Sequence, residues 1–390
     1  MLAQVRQKLG FRQWFVNAGT KHQFLSSSAG ASDFECDDIV DDEIVQKKGS
    51  ALRSAIAQLD AEFNSESRLS VGSFFTLRRT PVISTGSLML DRALGIGGLP
   101  RGRMIEIYGR EASGKTTLAL HIIKEAQKLG GYCAFLDVEN ALDSSMAESL
   151  GINLENLLIA PPNSAENMLS MVDTLTKSDA LDVIVIDSVA ALMPKHELDS
   201  PILSCHGSIH PRVLSQALRK IHHTLSRSKT LLVLLNQIRH KCASPFGLKS
   251  VEEVTSGGNA LKFYSAVRLR MSRTGLFKAK NEVKQYKIML CITFNSTQFE
   301  GVEVCVQVMK NKLAPIKDKA DLKIKFGKGY CLEEEAFRLA CEYGMVEKNG
   351  LKFSVNGRRF VDESSAIDYL GSDKHILDNM ITTLRNEMFP

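Results

Sequence analysis

Short apolar runs alternate with amphipathic segments over residues 82–329, and this alternation predicts how that part of the chain folds. The apolar runs have the length and composition of buried parallel strands, and the clearest are Ala134–Val138, Val183–Asp187 and Thr230–Asn236. Long helical stretches separate them, for example Ser164–Lys177 and Arg212–Ser226. Strands and helices in alternation form a mostly parallel sheet that is covered on both faces. The sequence therefore predicts an α/β fold.

Two further regions have patterns of their own. Within residues 49–64, one helical stripe is formed by Leu52, Ile56, Leu59 and Phe63. A single helix cannot bury such a stripe, so this segment is expected to need a partner surface. After Gly329 the pattern changes to short amphipathic helices with a hairpin near Asn356-Gly357, which predicts a small separate α+β domain over residues 330–390.

The composition is that of an ordinary soluble globular protein, with 44% hydrophobic and 24% charged residues. No apolar run approaches the length of a membrane span, so no membrane partner is expected. The eight cysteines include no C-x-x-C pair, which argues against a disulfide framework or a zinc ribbon. The mild positive balance, a formal net charge of +5, permits binding to a polyanion without requiring it.

Charge is distributed unevenly at the N-terminus. Residues 1–30 contain four basic residues, no acidic residue and a run of three serines. This is the composition of an organelle transit peptide, and a disordered basic arm is the alternative. Residues 31–48 are rich in acidic side chains and predict a solvated linker. Import into an organelle is therefore expected, with the mitochondrion preferred and the chloroplast as the alternative.

A glycine-containing motif provides the first candidate chemistry. It matches G-x-x-x-x-G-K-[ST] and comprises Gly109, Arg110, Glu111, Ala112, Ser113, Gly114, Lys115, Thr116 and Thr117. The strand-like run Met104–Tyr108 precedes it and the helix-like run Leu118–Ile123 follows. In this arrangement backbone N–H groups and a helix N-terminus bind phosphates. Lys115 can then reach the β and γ phosphates of a nucleotide, and the Thr116 hydroxyl can bind Mg²⁺.

Polar residues follow three of the predicted strands. Asp187 ends one strand and can meet the Mg²⁺ shell together with Thr116. Glu139 lies just beyond another and can orient a water toward the γ-phosphate. The amides of Asn236 and Gln237 end the third, where they can sense that phosphate. Any one of these could be a strand cap, but the set of three favours nucleotide hydrolysis.

Several strings together resemble bacterial RecA recombinase. They are Val82–Leu88, Leu94–Pro100, the phosphate loop, Asp137–Asp143, Ile186–Leu192, Asn236–Arg239 and Thr255–Tyr264. The resemblance extends from about residue 49 to 385, in the same order, and with the basic arm the chain looks like a plant organellar RecA. It implies a RecA-like ATPase core over residues 82–329, an N-terminal polymerisation arm over 49–81, and the small C-terminal domain.

The resemblance also implies roles for individual residues. Glu139 would be the hydrolytic base, Gln237 the γ-phosphate sensor, and Asp143 a contact of the adenine of ATP. Lys310 and Lys312 match a lysine pair that reaches ATP on the neighbouring subunit of a helical filament. The implied activity is a DNA-dependent ATPase that pairs single-stranded DNA with a homologous duplex and exchanges strands.

The resemblance also implies which residues contact DNA. The polar segment 197–212 and the segment 238–256 would be mobile DNA-binding loops, the second of which carries Arg239 and Lys241. The implied phosphate contacts are Arg212, Ser215, Arg219, Gly257, Gly258 and Asn259. Backbone N–H groups beside glycines suit a grip on phosphates that does not depend on sequence.

Some positions depart from the family pattern. The positions that usually hold apolar wedges between bases are Gly207 and Cys242, and an aromatic residue at the adenine is replaced by Met146. At the site for the second DNA strand only Arg273 is matched, while the other two basic positions are Cys305 and Gln307. Residues 284–299 are an insertion that the family lacks. A filament-forming scaffold with weak strand exchange is therefore the main alternative, and a hexameric helicase is a further one.

Overall fold

The computed structural model describes residues 81–199, 211–243, 250–278, 299–316, 319–349, 352–355 and 357–389, together with 50, 51, 54 and 58. The chain divides into two units, residues 1–78 and 79–390. In the first unit the four described residues are helical. The predicted transit peptide, the acidic linker and most of the predicted polymerisation arm lie outside the described residues.

The second unit is built around a ten-stranded sheet. Its strands and those of two small sheets are β1 (Val82–Ile83), β2 (Leu99–Pro100), β3 (Met104–Gly109), β4 (Cys133–Asp137), β5 (Leu157–Ala160), β6 (Val183–Asp187), β7 (Leu231–Ala243), β8 (Ser250–Thr255), β9 (Val267–Lys278), β10 (Phe299–Asn311), β11 (Ala320–Lys325), β12 (Gly329–Tyr330), β13 (Glu347–Asn349), β14 (Lys352–Val355) and β15 (Arg358–Phe360). The order in the large sheet is β12-β11-β10-β9-β3-β7-β6-β4-β5, with β8 paired to β7. Strands β9, β3, β7, β6, β4 and β5 are mutually parallel, whereas β10 to β12 extend the sheet with antiparallel pairs.

Helices cover both faces of this sheet. In the described residues they are α1 (Leu88–Leu94), α2 (Lys115–Lys128), α3 (Ser144–Ser149), α4 (Ala165–Lys177), α5 (Lys195–Leu198), α6 (Pro211–Arg227), α7 (Gly258–Tyr264), α8 (Leu332–Glu342), α9 (Glu363–Ser372) and α10 (Lys374–Met388). None of them combines the length and the apolar composition needed to cross a membrane. The α/β fold with a mostly parallel sheet is therefore confirmed.

Successive side chains along the central strands point to opposite faces of the sheet, and the interior is therefore divided into two cores. In β6, Val183 and Val185 pack in the core that contains α1 and α2, whereas Ile184 and Ile186 pack in the core that contains α4, α6 and α7. A strand with apolar side chains on both faces is the pattern expected of a parallel strand covered by helices on each side. This explains why uninterrupted apolar runs mark the strands in the sequence.

A third core lies among the C-terminal elements. Phe337 of α8 and Phe353 of β14 pack edge to face, and Leu370 and Leu384 of α9 and α10 join them. The antiparallel sheet β13-β14-β15 contains the predicted hairpin, with Val355 opposite Arg358. The domain limits proposed from the sequence stay predictions.

The segment 238–256 differs from its predicted loop form. Strand β7 continues past Asn236 to Ala243, and residues 238–243 pair antiparallel with β8. The pairing satisfies backbone groups that would otherwise have no partner once β7 leaves the parallel sheet. Residues 244–249, between the two strands, lie outside the described residues.

Candidate nucleotide site and nucleic-acid surface

The phosphate loop connects the central strand β3 to helix α2. At Gly109 a Cβ atom would lie 2.3 Å from the carbonyl oxygen of Met271, so only glycine fits there. Gly114 has a φ of 82°, a left-handed conformation, and stands directly before the first residue of α2. Within the described part of the chain, the buried Ser113 hydroxyl has no hydrogen-bond partner. A glycine cradle at a helix N-terminus, with a spare hydroxyl, fits a phosphate chain.

Thr116 and Asp187 meet beside this loop, as predicted for a magnesium site. The Thr116 hydroxyl donates to a carboxylate oxygen of Asp187 at 2.7 Å. Burial raises the pKa of Asp187 to about 6 against the effect of that hydrogen bond, and the nearby carboxylates of Glu139 and Asp137 raise it further. A carboxylate that is buried among other carboxylates is stabilised by a cation, so the donor set fits Mg²⁺.

Lys115 lies within the same loop. Its ammonium group donates to the carbonyl oxygen of Arg110 at 2.8 Å. Burial lowers the pKa of Lys115, and the carboxylates of Asp187 and Glu139 oppose that effect. The side chain is thus folded back over the loop in which a phosphate chain would be bound.

Glu139 and Gln237 are brought together at the strand ends. One carboxylate oxygen of Glu139 accepts a hydrogen bond from the amide nitrogen of Gln237 at 2.9 Å and another from the Ser188 hydroxyl. The cluster thus joins the ends of β4 and β6 to the point in β7 where its parallel pairing with β3 ends. Ser188 was missed from the sequence, although its place directly after Asp187 at a strand end was an available signal.

A buried network of hydrogen-bonded polar groups extends from the site through Asn236. Its amide nitrogen donates to a carboxylate oxygen of Glu106 at 3.0 Å and to the carbonyl oxygen of Ser256 at 2.9 Å. The backbone N–H of Gln237 donates to the Asn236 side chain at 2.9 Å. Glu106 is fully buried in β3, and its other oxygen accepts from Arg268 at 2.5 Å. Hydrogen bonds therefore connect Gln237, through Asn236, to Ser256, the residue that precedes Gly257.

Glu106 and Arg268 were not recognised from the sequence. A glutamate within the apolar run Met104–Tyr108 was the available signal, because a fully buried carboxylate requires a partner. The identity of that partner depends on β9 lying next to β3, which is a tertiary contact.

A cavity of about 300 Å³ adjoins the phosphate loop. Thr117 and Met146 line it together with Phe326 and Gly327. Asp143 is not among its lining residues. It caps α3, the helix that carries Met146, by accepting a hydrogen bond from the Ser145 N–H at 2.9 Å. Hydrogen bonds from Ser145 lower the pKa of Asp143. The exposed Phe326, missed from the sequence, offers an aromatic face to this cavity.

Lys310 and Lys312 lie at the C-terminal end of α7. Lys310 donates to the carbonyl oxygens of Lys262 and Phe263 at 2.6 and 3.1 Å, and Lys312 donates to that of Phe263 at 3.1 Å. Burial lowers the pKa of Lys310, and the charge of Lys312 adds to the effect. Both ammonium groups thus complete hydrogen bonds that the helix end leaves open.

The predicted DNA contacts are partly described. Ser215 is half-buried on α6, and Arg219 and Arg239 are exposed. Gly257 precedes α7 and Gly258 begins it, both with left-handed backbones, and Asn259 is exposed beside them. A Cβ atom at Gly257 would lie 2.9 Å from Leu214, which places this turn against α6. The side chains of Arg212 and Lys241 and all of Gly207 lie outside the described part of the chain.

The positions that depart from the family pattern lie on β9 and β10. Cys305 is buried, and Gln307 accepts a hydrogen bond from Arg270 at 3.2 Å. Arg273 is exposed. Strands β9 and β10 pair from Val267 opposite Asn311 to Lys278 opposite Phe299. The insertion is therefore carried at the end of this strand pair, and all of it except Phe299 lies outside the described residues.

The fold and the site together define a P-loop α/β protein. The family model for the RecA N-terminal domain matches residues 50–331. The DNA repair protein recA homolog 3, mitochondrial, of Arabidopsis thaliana is 44% identical over 347 residues, which are 89% of this chain and 77% of that protein. Protein RecA of Acidiphilium cryptum is 48% identical over 313 residues, which are 80% of this chain and 86% of that protein. The chain belongs to the RecA family.

Proposed function

We propose that this chain is an ATP-dependent DNA recombinase. It forms helical filaments on single-stranded DNA, hydrolyses ATP when DNA is bound, and catalyses homologous pairing and strand exchange in DNA recombination and repair. The observation that carries the proposal is the hydrogen bond between Gln237 and Glu139, since it joins a sensing amide to a candidate base beside the phosphate loop. Family membership and the names of its relatives support it.

Each residue of the site has a defined task in hydrolysis. The phosphate loop binds the triphosphate of ATP, and Lys115 exchanges its bond to the Arg110 carbonyl for the phosphates. Glu139 orients a water and accepts its proton, while Ser188 and Gln237 hold the carboxylate in place. Mg²⁺, held by Thr116 and Asp187, would neutralise phosphate charge.

DNA dependence follows from the buried polar network. Gln237 changes partner when a γ-phosphate is present, and its backbone is bonded to Asn236. Asn236 in turn holds the carbonyl of Ser256, next to the Gly257–Gly258 turn. Nucleotide state and the DNA-binding surface are thus coupled through groups that are buried and bonded, which makes the coupling energetically significant.

Lys310 and Lys312 have a role in hydrolysis only in the proposed filament. In a single chain they cap α7, and in a filament they reach ATP on the neighbouring subunit, where they stabilise phosphate charge. Residues 49–81 supply the polymerisation arm, 82–329 the core and 330–390 the C-terminal domain. We place the protein in the mitochondrion, with the chloroplast as the alternative, because of the basic arm and the mitochondrial relative.

Three measurements on the full chain test the proposal. ATP hydrolysis should rise when single-stranded DNA is added, electron microscopy should show helical filaments on that DNA, and strand exchange should require a homologous duplex. A Lys115→Ala variant is the control and should lose hydrolysis and strand exchange when tested on its own. Rings in place of filaments, or hydrolysis that ignores DNA, would contradict the proposal.

A second candidate function is a filament-forming DNA scaffold with weak strand exchange. The two neutral positions on β10 favour it, because Cys305 is buried and the Gln307 side chain is bonded to Arg270. Full DNA-stimulated hydrolysis and normal filaments, combined with little strand exchange, would identify this candidate. Replacing Gln307 by Lys should then increase strand exchange.

A further inference from the structure

Helices α4 and α6 form a basic groove that extends beyond the predicted DNA contacts. The groove has a volume of about 620 Å³ and is lined by Lys177 of α4 and by Gln216, Arg219, Lys220, His223 and Thr224 of α6. Positions 216, 219, 220 and 223 are spaced as one face of a helix. Of these residues only Arg219 belongs to the predicted DNA contacts.

Two lysines in this groove are held in place by a largely buried aspartate. The ammonium groups of Lys177 and Lys220 donate to the same oxygen of Asp173 at 2.8 and 2.9 Å. The Asp173 side chain is 12% exposed, whereas the two lysine side chains are 56% and 66% exposed. Burial works against ionisation of Asp173, but the two lysines hold its pKa below the usual value. The carboxylate therefore stays charged and fixes two cations at the groove wall.

The charges of the groove do not cancel. Lys177, Lys220 and Arg219 contribute three positive charges, and Asp173 is the one carboxylate bonded to them among the residues described. Each ammonium group has three N–H donors, of which Asp173 uses one, so donors remain for a second anion. Preorganised cations bind an anion with little loss of side-chain entropy.

We propose that this groove is a phosphate subsite that extends the path of single-stranded DNA beyond Arg219 along α6. The inference rests on the proposed function. Arg219 belongs to both the predicted contact set and the groove, so a strand bound at Arg219 brings its next phosphates to Lys220 and Lys177. The ligand is the sugar-phosphate backbone, and binding at this subsite is independent of base sequence.

Salt titration of DNA binding tests the subsite. The affinity of the full chain for a mixed-sequence single strand is measured between 50 and 200 mM salt for the wild type and for Lys220→Gln and Gln216→Glu. Glutamine at 220 can still donate to Asp173, and Gln216→Glu leaves both lysine bonds intact. The control is Lys128→Gln, which alters net charge equally at a lysine that pairs with Glu125 at 2.6 Å on α2.

For Lys220→Gln, the slope of log affinity against log salt concentration should be smaller in magnitude by about 0.7. The affinity should therefore fall by a factor roughly 2.6 times smaller than in the wild type between 50 and 200 mM salt. Gln216→Glu should weaken binding to all sequences alike, and it tests the groove even if Lys220→Gln fails to fold. If both variants match Lys128→Gln while the wild type binds DNA, the subsite is wrong and the proposed function stands. An effect confined to duplex DNA overturns the single-strand assignment. A wild type that does not bind single strands overturns both proposals.

Discussion

One oxygen of Glu139 accepts hydrogen bonds from two side chains, and these bonds fix the orientation of the carboxylate. Ser188, directly after β6, and Gln237, in β7, both donate to it, so side chains from two other strands fix its orientation. A general base needs a fixed position near the water that it activates. Under the proposed function, Gln237 would respond to a γ-phosphate by changing its bond to this same oxygen, so that sensing and base positioning would share one contact.

Replacement of Glu139 by glutamine tests this role. The change keeps the shape of the side chain but removes the group that takes a proton. Hydrolysis should slow by about 10²–10⁴-fold, as for loss of a general base, whereas ATP binding should be retained. If filaments form as proposed and ATP turnover drives their release, filaments of this variant should persist longer on DNA. Hydrolysis rate, nucleotide affinity and dissociation from DNA are the measurements.

The matched control is Glu148→Gln, a similar change on the exposed surface of α3, which should leave hydrolysis unaltered. Loss of nucleotide binding in Glu139→Gln, without long-lived filaments, would instead indicate that the carboxylate maintains the structure of the strand ends.

Among the elements, α8 is joined to the start of α1 by a buried carboxyl group. One oxygen of Glu335 accepts from the Ser87 hydroxyl at 2.8 Å and from the N–H of Met89 at 3.3 Å. Among the residues that the structure describes, none is hydrogen-bonded to the other oxygen. Burial raises the pKa of Glu335 to about 7, the hydrogen bonds from Ser87 and Met89 oppose this, and the carboxylate of Asp91 adds to it. Because burial opposes ionisation more than these hydrogen bonds favour it, the folded state is most stable when Glu335 is protonated.

Stability should consequently fall as the pH rises through 7. The unfolded chain ionises this carboxyl near its usual pKa of 4.5 and the folded chain near 7, so the folded state holds an extra proton between these values. Glu335→Gln, which cannot ionise, should gain roughly 2 to 3 kcal/mol of unfolding free energy relative to the wild type between pH 5 and pH 8. Denaturant unfolding at both pH values provides the measurement.

His121 makes its own pH-dependent contribution to stability, so Glu335 has to be tested by comparing the variant with the wild type at each pH. Burial lowers the pKa of His121 to about 3, with smaller contributions from Lys124 and Lys128, so its effect on stability is lost on the acid side, as the pH falls below 6.5. The effect is common to wild type and variant and cancels in the difference. Glu333→Gln, on the same turn of α8, is the control: it retains Glu335, so its stability should follow that of the wild type at both pH values. An equal difference between Glu335→Gln and the wild type at both pH values would mean that Glu335 ionises freely.

The elements also show what could be predicted from the sequence. Strand β6 was predicted with its observed limits, because an uninterrupted apolar run with a terminal aspartate has few alternatives. The proximity of Glu139, Asp187 and Gln237 could be predicted because the carboxyl ends of parallel strands lie at one edge of a sheet, whereas their roles stay predictions. The pairing of β7 with β8 was missed, since it depends on contacts between segments that lack a strong pattern of their own. The pairing of Glu106 with Arg268 required the strand order.

At the scale of the whole molecule, α7 joins two surfaces. Its N-terminal end carries the Gly257–Gly258 turn, and its C-terminal end is capped by Lys310 and Lys312. Under the proposed function, DNA would bind at one end of this seven-residue helix while the two lysines contact the other end, so α7 would couple the two sites. The lysines form caps in the single chain and would be released only where a neighbouring subunit offers phosphates.

The Lys310→Ala/Lys312→Ala variant should therefore bind ATP but lose DNA-stimulated hydrolysis. Mixed with Lys115→Ala subunits, it should regain activity at interfaces where each partner contributes its intact half, which is roughly a quarter of interfaces if equal amounts mix at random in head-to-tail contacts. Hydrolysis measured across mixing ratios should be highest near equal amounts. A Lys348→Ala/Lys352→Ala variant, which removes two lysines from the C-terminal sheet, is the control and should restore nothing beyond its own activity when mixed in the same way. If mixed filaments form and no ratio restores hydrolysis, the two lysines do not act across the subunit boundary.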